Sequence, residues 1–163
     1  MKISYVFGFA FLLFFTSANA ISQEQGHLNV TSLVQMEEVS EGENGERLTR
    51  LVPVETVVPG DVVIYTTTVE NISDVAANDI VVTSPVPEHL SYVAGSAFGP
   101  GMLIEFSVDG GVTYAAPEEL TVNEDGQSRR AATAEDYTHI RFVLQDHLAA
   151  GAQGIARFRA TLN

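Results

Sequence analysis

Apolar and polar residues alternate with a period of two along most of this chain, in short runs separated by glycine, proline, asparagine and aspartate. That pattern belongs to strands with one buried and one solvated face. It predicts extended segments over 28–39, 48–58, 62–70, 79–83, 90–93, 102–108, 112–114, 120–122, 137–144 and 155–162. The clearest is 62–70, where Val63, Tyr65, Thr67 and Val69 share one face. Pro53 interrupts the second segment, which suits an edge strand or a bulge. Asp109-Gly110-Gly111 predicts a hairpin between 102–108 and 112–114, because Asp-Gly and Gly-Gly tolerate the positive φ of tight turns. The polar stretch 123–136 reads as a mobile loop. No segment carries the 3.6-residue period of an amphipathic helix, and no internal repeat is visible. About seven to nine short strands with this spacing of turn signals predict an all-β fold, an immunoglobulin-like antiparallel β-sandwich over 21–163 as one domain. An up-and-down barrel is the structural alternative.

The first twenty residues read differently. Lys2 supplies a positive n-region, 3–15 is a nearly unbroken apolar run, and Thr16-Ser17-Ala18-Asn19-Ala20 offers a small-x-small cleavage signature. The run is shorter than the ~20 residues a spanning helix needs. The expectation is a signal peptide, 1–20, cleaved after Ala20, and a secreted or periplasmic protein beginning at Ile21. The competing reading is an uncleaved anchor. No second apolar segment follows, so no transmembrane segment is expected after cleavage.

Composition narrows the function classes. The only lysine is Lys2, so the chain from Ile21 onward sets seven arginines against 21 acids, a formal charge of −14. Such a charge favours solubility and argues against nucleic acid or an anionic membrane as partner. With no cysteine there are no disulfides, thiol nucleophiles or thiolate metal sites. Without lysine beyond the leader there is no Schiff base and no Lys–Asn cross-link.

Several runs resemble a known family. Pro59-Gly60-Asp61-Val62-Val63-Ile64-Tyr65-Thr66-Thr67-Thr68-Val69-Glu70-Asn71 is similar to the G-D-x-V-x-Y-x-x-x-V-x-N strand of the bacterial surface-repeat domain called domain of unknown function eleven. Ala76 to Thr83, Pro87 to Ser96, Phe106 to Gly111 and Tyr137 to Phe142 resemble stand-alone proteobacterial members in the same order. The resemblance spans about residues 53–162. It implies an immunoglobulin-like fold, an extracellular or envelope setting and no catalytic residues. Ser84 departs from it, standing where relatives carry an aspartate before the Pro-rich turn.

Candidate chemistry is sparse. There is no G-x-S-x-G elbow and no H-E-x-x-H, and His27, His89, His139 and His147 are scattered. No enzyme and no cofactor is expected. Calcium is the one metal with candidates, the loop carboxylates Asp109, Glu124, Asp125 and Asp136, although turn chemistry and solubility account for the same residues. Asn29-Val30-Thr31 and Asn71-Ile72-Ser73 match the glycosylation sequon by chance. The most informative pattern is at the C-terminus. If 137–144 and 155–162 pair as a hairpin, Tyr137, His139, Arg141, Arg157 and Arg159 share one outer face. That face would be a docking surface for an anionic protein or another copy, unless acids such as Glu70 or Glu105 neutralise it.

The expected role is a non-catalytic secreted or envelope-associated module for structure or binding. Its first rival is a subunit of an extracellular assembly that donates 21–39 as a strand to the next molecule. The second is an enzyme of unknown chemistry.

Overall fold

The structure is a computed structural model that describes residues 27–163 apart from 55, 125 and 127. The expected leader and cleavage site, with Ile21, lie outside the described residues. Among those described, no helix is long and apolar enough to cross a membrane.

Among the described residues ten strands form: β1 (Leu28–Glu41), β2 (Arg47–Pro53), β3 (Val62–Asn71), β4 (Val81–Pro85), β5 (Leu90–Tyr92), β6 (Met102–Ser107), β7 (Thr121–Glu124), β8 (Ser128–Ala131), β9 (His139–Leu144) and β10 (Gln153–Leu162). All pair antiparallel. A five-stranded sheet runs β2-β1-β3-β10-β5, a three-stranded sheet runs β4-β9-β6, and β7 and β8 form a separate hairpin.

The two larger sheets meet over one core. Alternation places Val63 and Val69 of β3, with Ala156, Phe158 and Ala160 of β10, on the inner face of the larger sheet. Ile140 and Phe142 of β9, with Val82 of β4 and Phe106 of β6, line the inner face of the smaller one. Aromatic rings fill the space between. Tyr65 stacks on Phe158 at 4.9 Å, and Phe106 stacks on Tyr137 at 4.4 Å. Burial of such rings is the main drive for closing the sandwich.

Three local expectations are corrected. The stretch 123–136 is not an open loop: β7 and β8 form a hairpin that turns at Gly126 (φ 75°), followed by a 3-10 turn over Ala134–Asp136. Its residues are polar because β8 is exposed throughout, so no apolar period marks the strand. Residues 112–114 form no strand. Asp109 instead folds the chain back on itself, and only an isolated bridge links Phe106 to Ala115. Finally, β9 and β10 do not pair; each lies in a different sheet.

Candidate functional site

β1 is the longest strand, and its two halves have different neighbours. Leu28 to Met36 pair with β3, whereas Gln35 to Glu41 pair with β2. Even-numbered residues of β1 share the inner face, as the 3.1 Å contact between the Ser32 and Thr67 hydroxyls shows. The smaller sheet stops short of them. Val30, Val34 and Leu48 are 58%, 41% and 51% exposed, although they point to the same side as the buried Val63 and Val69. The result is an open apolar shelf on β1 and β2.

The shelf borders two hollows. One, of about 650 Å³, lies between Leu28, Val30 and Val34 of β1 and the length of β4. The other, of about 490 Å³, is lined by Met36, Glu38, Arg50, Val52, Pro53 and Thr56. β4 flanks the first hollow with an unpaired edge. Leu144 N–H donates to Ile80 C=O and Val86 N–H to Thr138 C=O, so the even-numbered residues of this stretch bond to β9. The N–H and C=O groups of Val81 and Thr83 therefore turn the other way, where no strand lies among the described residues. Pro85 ends the edge because it has no N–H to offer.

The predicted arginine row does not assemble. Because β9 and β10 belong to opposite sheets, His139 and Arg141 face one side of the sandwich, and Arg157 and Arg159 face the other. Tyr137 faces neither: it is buried against Phe106 and Tyr92, and that burial raises its pKa. Arg141 pairs with Glu105 at 2.7 Å and lies over the Tyr114 ring at 4.2 Å. Arg159 pairs with Glu37 at 2.6 Å, and Arg157 donates to the Thr66 hydroxyl at 3.1 Å. Glu105 is thus one of the neutralising acids expected from sequence, and Glu37 is a second that sequence did not suggest.

Two of the calcium candidates, Asp109 and Asp136, are engaged by the protein's own donors. Asp109 accepts from the Thr113 hydroxyl at 2.6 Å, Thr113 N–H at 2.9 Å, the Ser107 hydroxyl at 2.7 Å and Val112 N–H at 3.1 Å. Asp136 takes a two-pronged contact from Arg130, at 2.6 and 2.8 Å, and closes a capping box with Thr133. Glu124 lies 4.0 Å from Arg130, and Asp125 is outside the described residues. Among the described residues, no three His, Asp or Glu side chains converge on one point.

The same contacts set an acid sensitivity. The hydrogen bonds from Thr113 hold Asp109 well below the usual carboxylate range, and Arg130 does the same for Asp136. A carboxyl depressed in the folded chain contributes stability above its unfolded pKa, near 3.9, and loses that contribution as pH falls toward the folded value. Asp136→Asn is therefore expected to be less stable than wild type at pH 7. The gap should close progressively below about pH 4. Urea titrations at several pH values check this, and a gap independent of pH would deny the Asp136 carboxylate its role.

No family model, no curated protein and no solved structure matches the chain. The shelf was missed at the level of sequence because residues 28–41 break strict alternation: Leu33 and Val34 are adjacent, and both are largely exposed. An apolar even-numbered phase, Leu28, Val30, Val34 and Met36, interrupted by Leu33, was the available signal.

Proposed function

We propose that this chain is a non-catalytic structural or binding module of immunoglobulin-like build, secreted or held in the cell envelope, that docks a protein partner along the open side of its sandwich. The carrying observation is the apolar shelf of β1 and β2 beside the unpaired edge of β4. A free edge supplies directional backbone hydrogen bonds, and the hollow beside it accepts alternate side chains of an added strand. The leader-like N-terminus, the lysine-free acidic composition and the resemblance to surface-repeat domains support the setting.

The strand-donation reading needs a further step. From Leu28 onward, the segment expected to be donated is already paired in its own sheet, Leu28 to Met36 with β3 and Gln35 to Val39 with β2. Donation of 28–39 therefore requires exchange of β1 between copies.

Hydrogen exchange of the mature protein, with and without envelope extract, tests the docking reading. Slowed exchange at the Val81 and Thr83 amides and along β1 is expected. Binding without protection at either strand would place the site elsewhere. Turnover of a substrate panel that is abolished by an acid substitution would replace the module with an enzyme.

A further inference from the structure

We infer that the shelf is covered by a second copy of this chain, the two β1–β2 shelves packing face to face about a twofold axis. This rests on the reading of the open side as a docking surface and names its occupant.

A twofold interface must be complementary to itself, because one patch meets its own copy. The shelf meets that requirement. Its inner-face residues are apolar or small and uncharged except for Glu38 and Arg50, one of each sign. Those two are register partners on adjacent strands, joined at 2.6 Å, with side chains 48% and 71% exposed. An axis passing between them carries the Glu38 carboxylate of each copy over the Arg50 guanidinium of the other. Both pairs form at once, with no charge left over.

The apolar positions follow the same geometry. Met36 and Val52 flank the charged pair on one side, and Ser40 and Leu48 flank it on the other. Two sheets stacked about 10 Å apart would interdigitate these side chains as sandwich sheets do. The shelf is also formally neutral on a chain that carries −14 beyond its leader. Two copies that meet across it therefore face no net like-charge repulsion. Exposed Val30, Val34 and Leu48 supply the apolar area that association removes from water.

A charge-exchange experiment on the full mature chain tests the pairing. In sedimentation equilibrium the wild type is expected to dimerise below about 100 μM. Glu38→Arg places two cations opposite two cations across the axis, and Arg50→Glu places acids opposite acids. Each variant alone should lose at least about tenfold in self-affinity. An equimolar mixture of the two should form a heterodimer of near wild-type affinity, because the introduced charges complement each other only across the interface. Circular dichroism controls for folding, and the double exchange Glu38→Arg, Arg50→Glu should dimerise like the wild type.

A mixture that stays monomeric, or a wild type monomeric at about 100 μM, would overturn the second copy as occupant. If such a monomer still shows envelope-dependent protection of Val81 and Thr83, the docking reading survives with a different partner. If protection is absent as well, both fall.

Discussion

Phe142→Ala is expected to remove about 4 kcal/mol of folding stability. Phe142 is 0% exposed at the centre of β9, with Val82 and Ile104 as register partners in the flanking strands on the same inner face. The neighbouring backbone is also tight: a Cβ added at Gly99 would lie 3.1 Å from the Phe142 ring. Truncation therefore loses the transfer energy of a whole ring and leaves a cavity that the facing strands cannot close, since both are held by ladder hydrogen bonds. Leu103→Ala, on the outer face of β6 and 50% exposed, should cost less than about 1 kcal/mol. Urea unfolding that shows a lowered midpoint and an unchanged slope for Phe142→Ala checks the prediction. A loss similar to that of Leu103→Ala would mean that the two sheets do not close over this ring.

The inward positions of the last two strands were legible from alternation alone. Of the positions alternation turns inward, Ile140, Phe142, Ala156, Phe158 and Ala160 are buried, while Thr138, Leu144 and Leu162 at the strand ends are half-buried. Partner strands were not legible. Alternation states which residues share a face but not which strand lies beside them, and the shorter sequence separation favoured a hairpin of β9 and β10. The eight residues between them instead carry the chain across the core, from the smaller sheet to the larger. That single difference divides the predicted arginine row between two opposite faces. Tyr137 fails for another reason. It precedes β9, at the end of the 3-10 turn over Ala134–Asp136, where strand alternation no longer sets its direction.

Polar strands were the other blind spot. β8 reads Ser128-Arg129-Arg130-Ala131 and is exposed on both faces, so its pairing with β7 leaves no apolar signature. Asp109 shows the converse. Asp-Gly-Gly correctly marked a reversal, with Gly110 and Gly111 both at positive φ. The aspartate closes it through its own side chain rather than through a strand ladder, which turn propensities do not distinguish.

Asn71→Leu is expected to cost about 3 kcal/mol, an effect on the scale of the core truncation although no ring is lost. Asn71 ends β3 and is 0% exposed. Its Nδ2 donates to Val75 C=O at 2.7 Å and Leu148 C=O at 2.8 Å, with Ala149 C=O at 3.2 Å. Its Oδ1 accepts from Ser73 N–H at 3.1 Å and the Ser73 hydroxyl at 2.7 Å. Its own backbone bonds to Ala152 C=O and Gly151 N–H. One side chain therefore fastens the loop after β3 to the crossover between the sheets. Leucine keeps the volume but removes all of these bonds at once: Leu148, Ala149 and Val75 C=O keep Ala77 N–H, Ala152 N–H and the Ser73 hydroxyl, whereas Ser73 N–H loses its acceptor, and each lost bond is worth about 1 kcal/mol. Asn71→Asp is the sharper control. A carboxylate can still accept from Ser73 but cannot donate to the carbonyls of Val75, Leu148 and Ala149. It should therefore be destabilised at neutral pH and partly rescued in acid, where protonation restores one donor. The same burial makes Asn71-Ile72-Ser73 a folded corner rather than an acceptor for sugar. Denaturant titrations of both variants at pH 7 and pH 4.5 test this account. Wild-type stability for Asn71→Leu would show that the crossover is held by its backbone bonds alone.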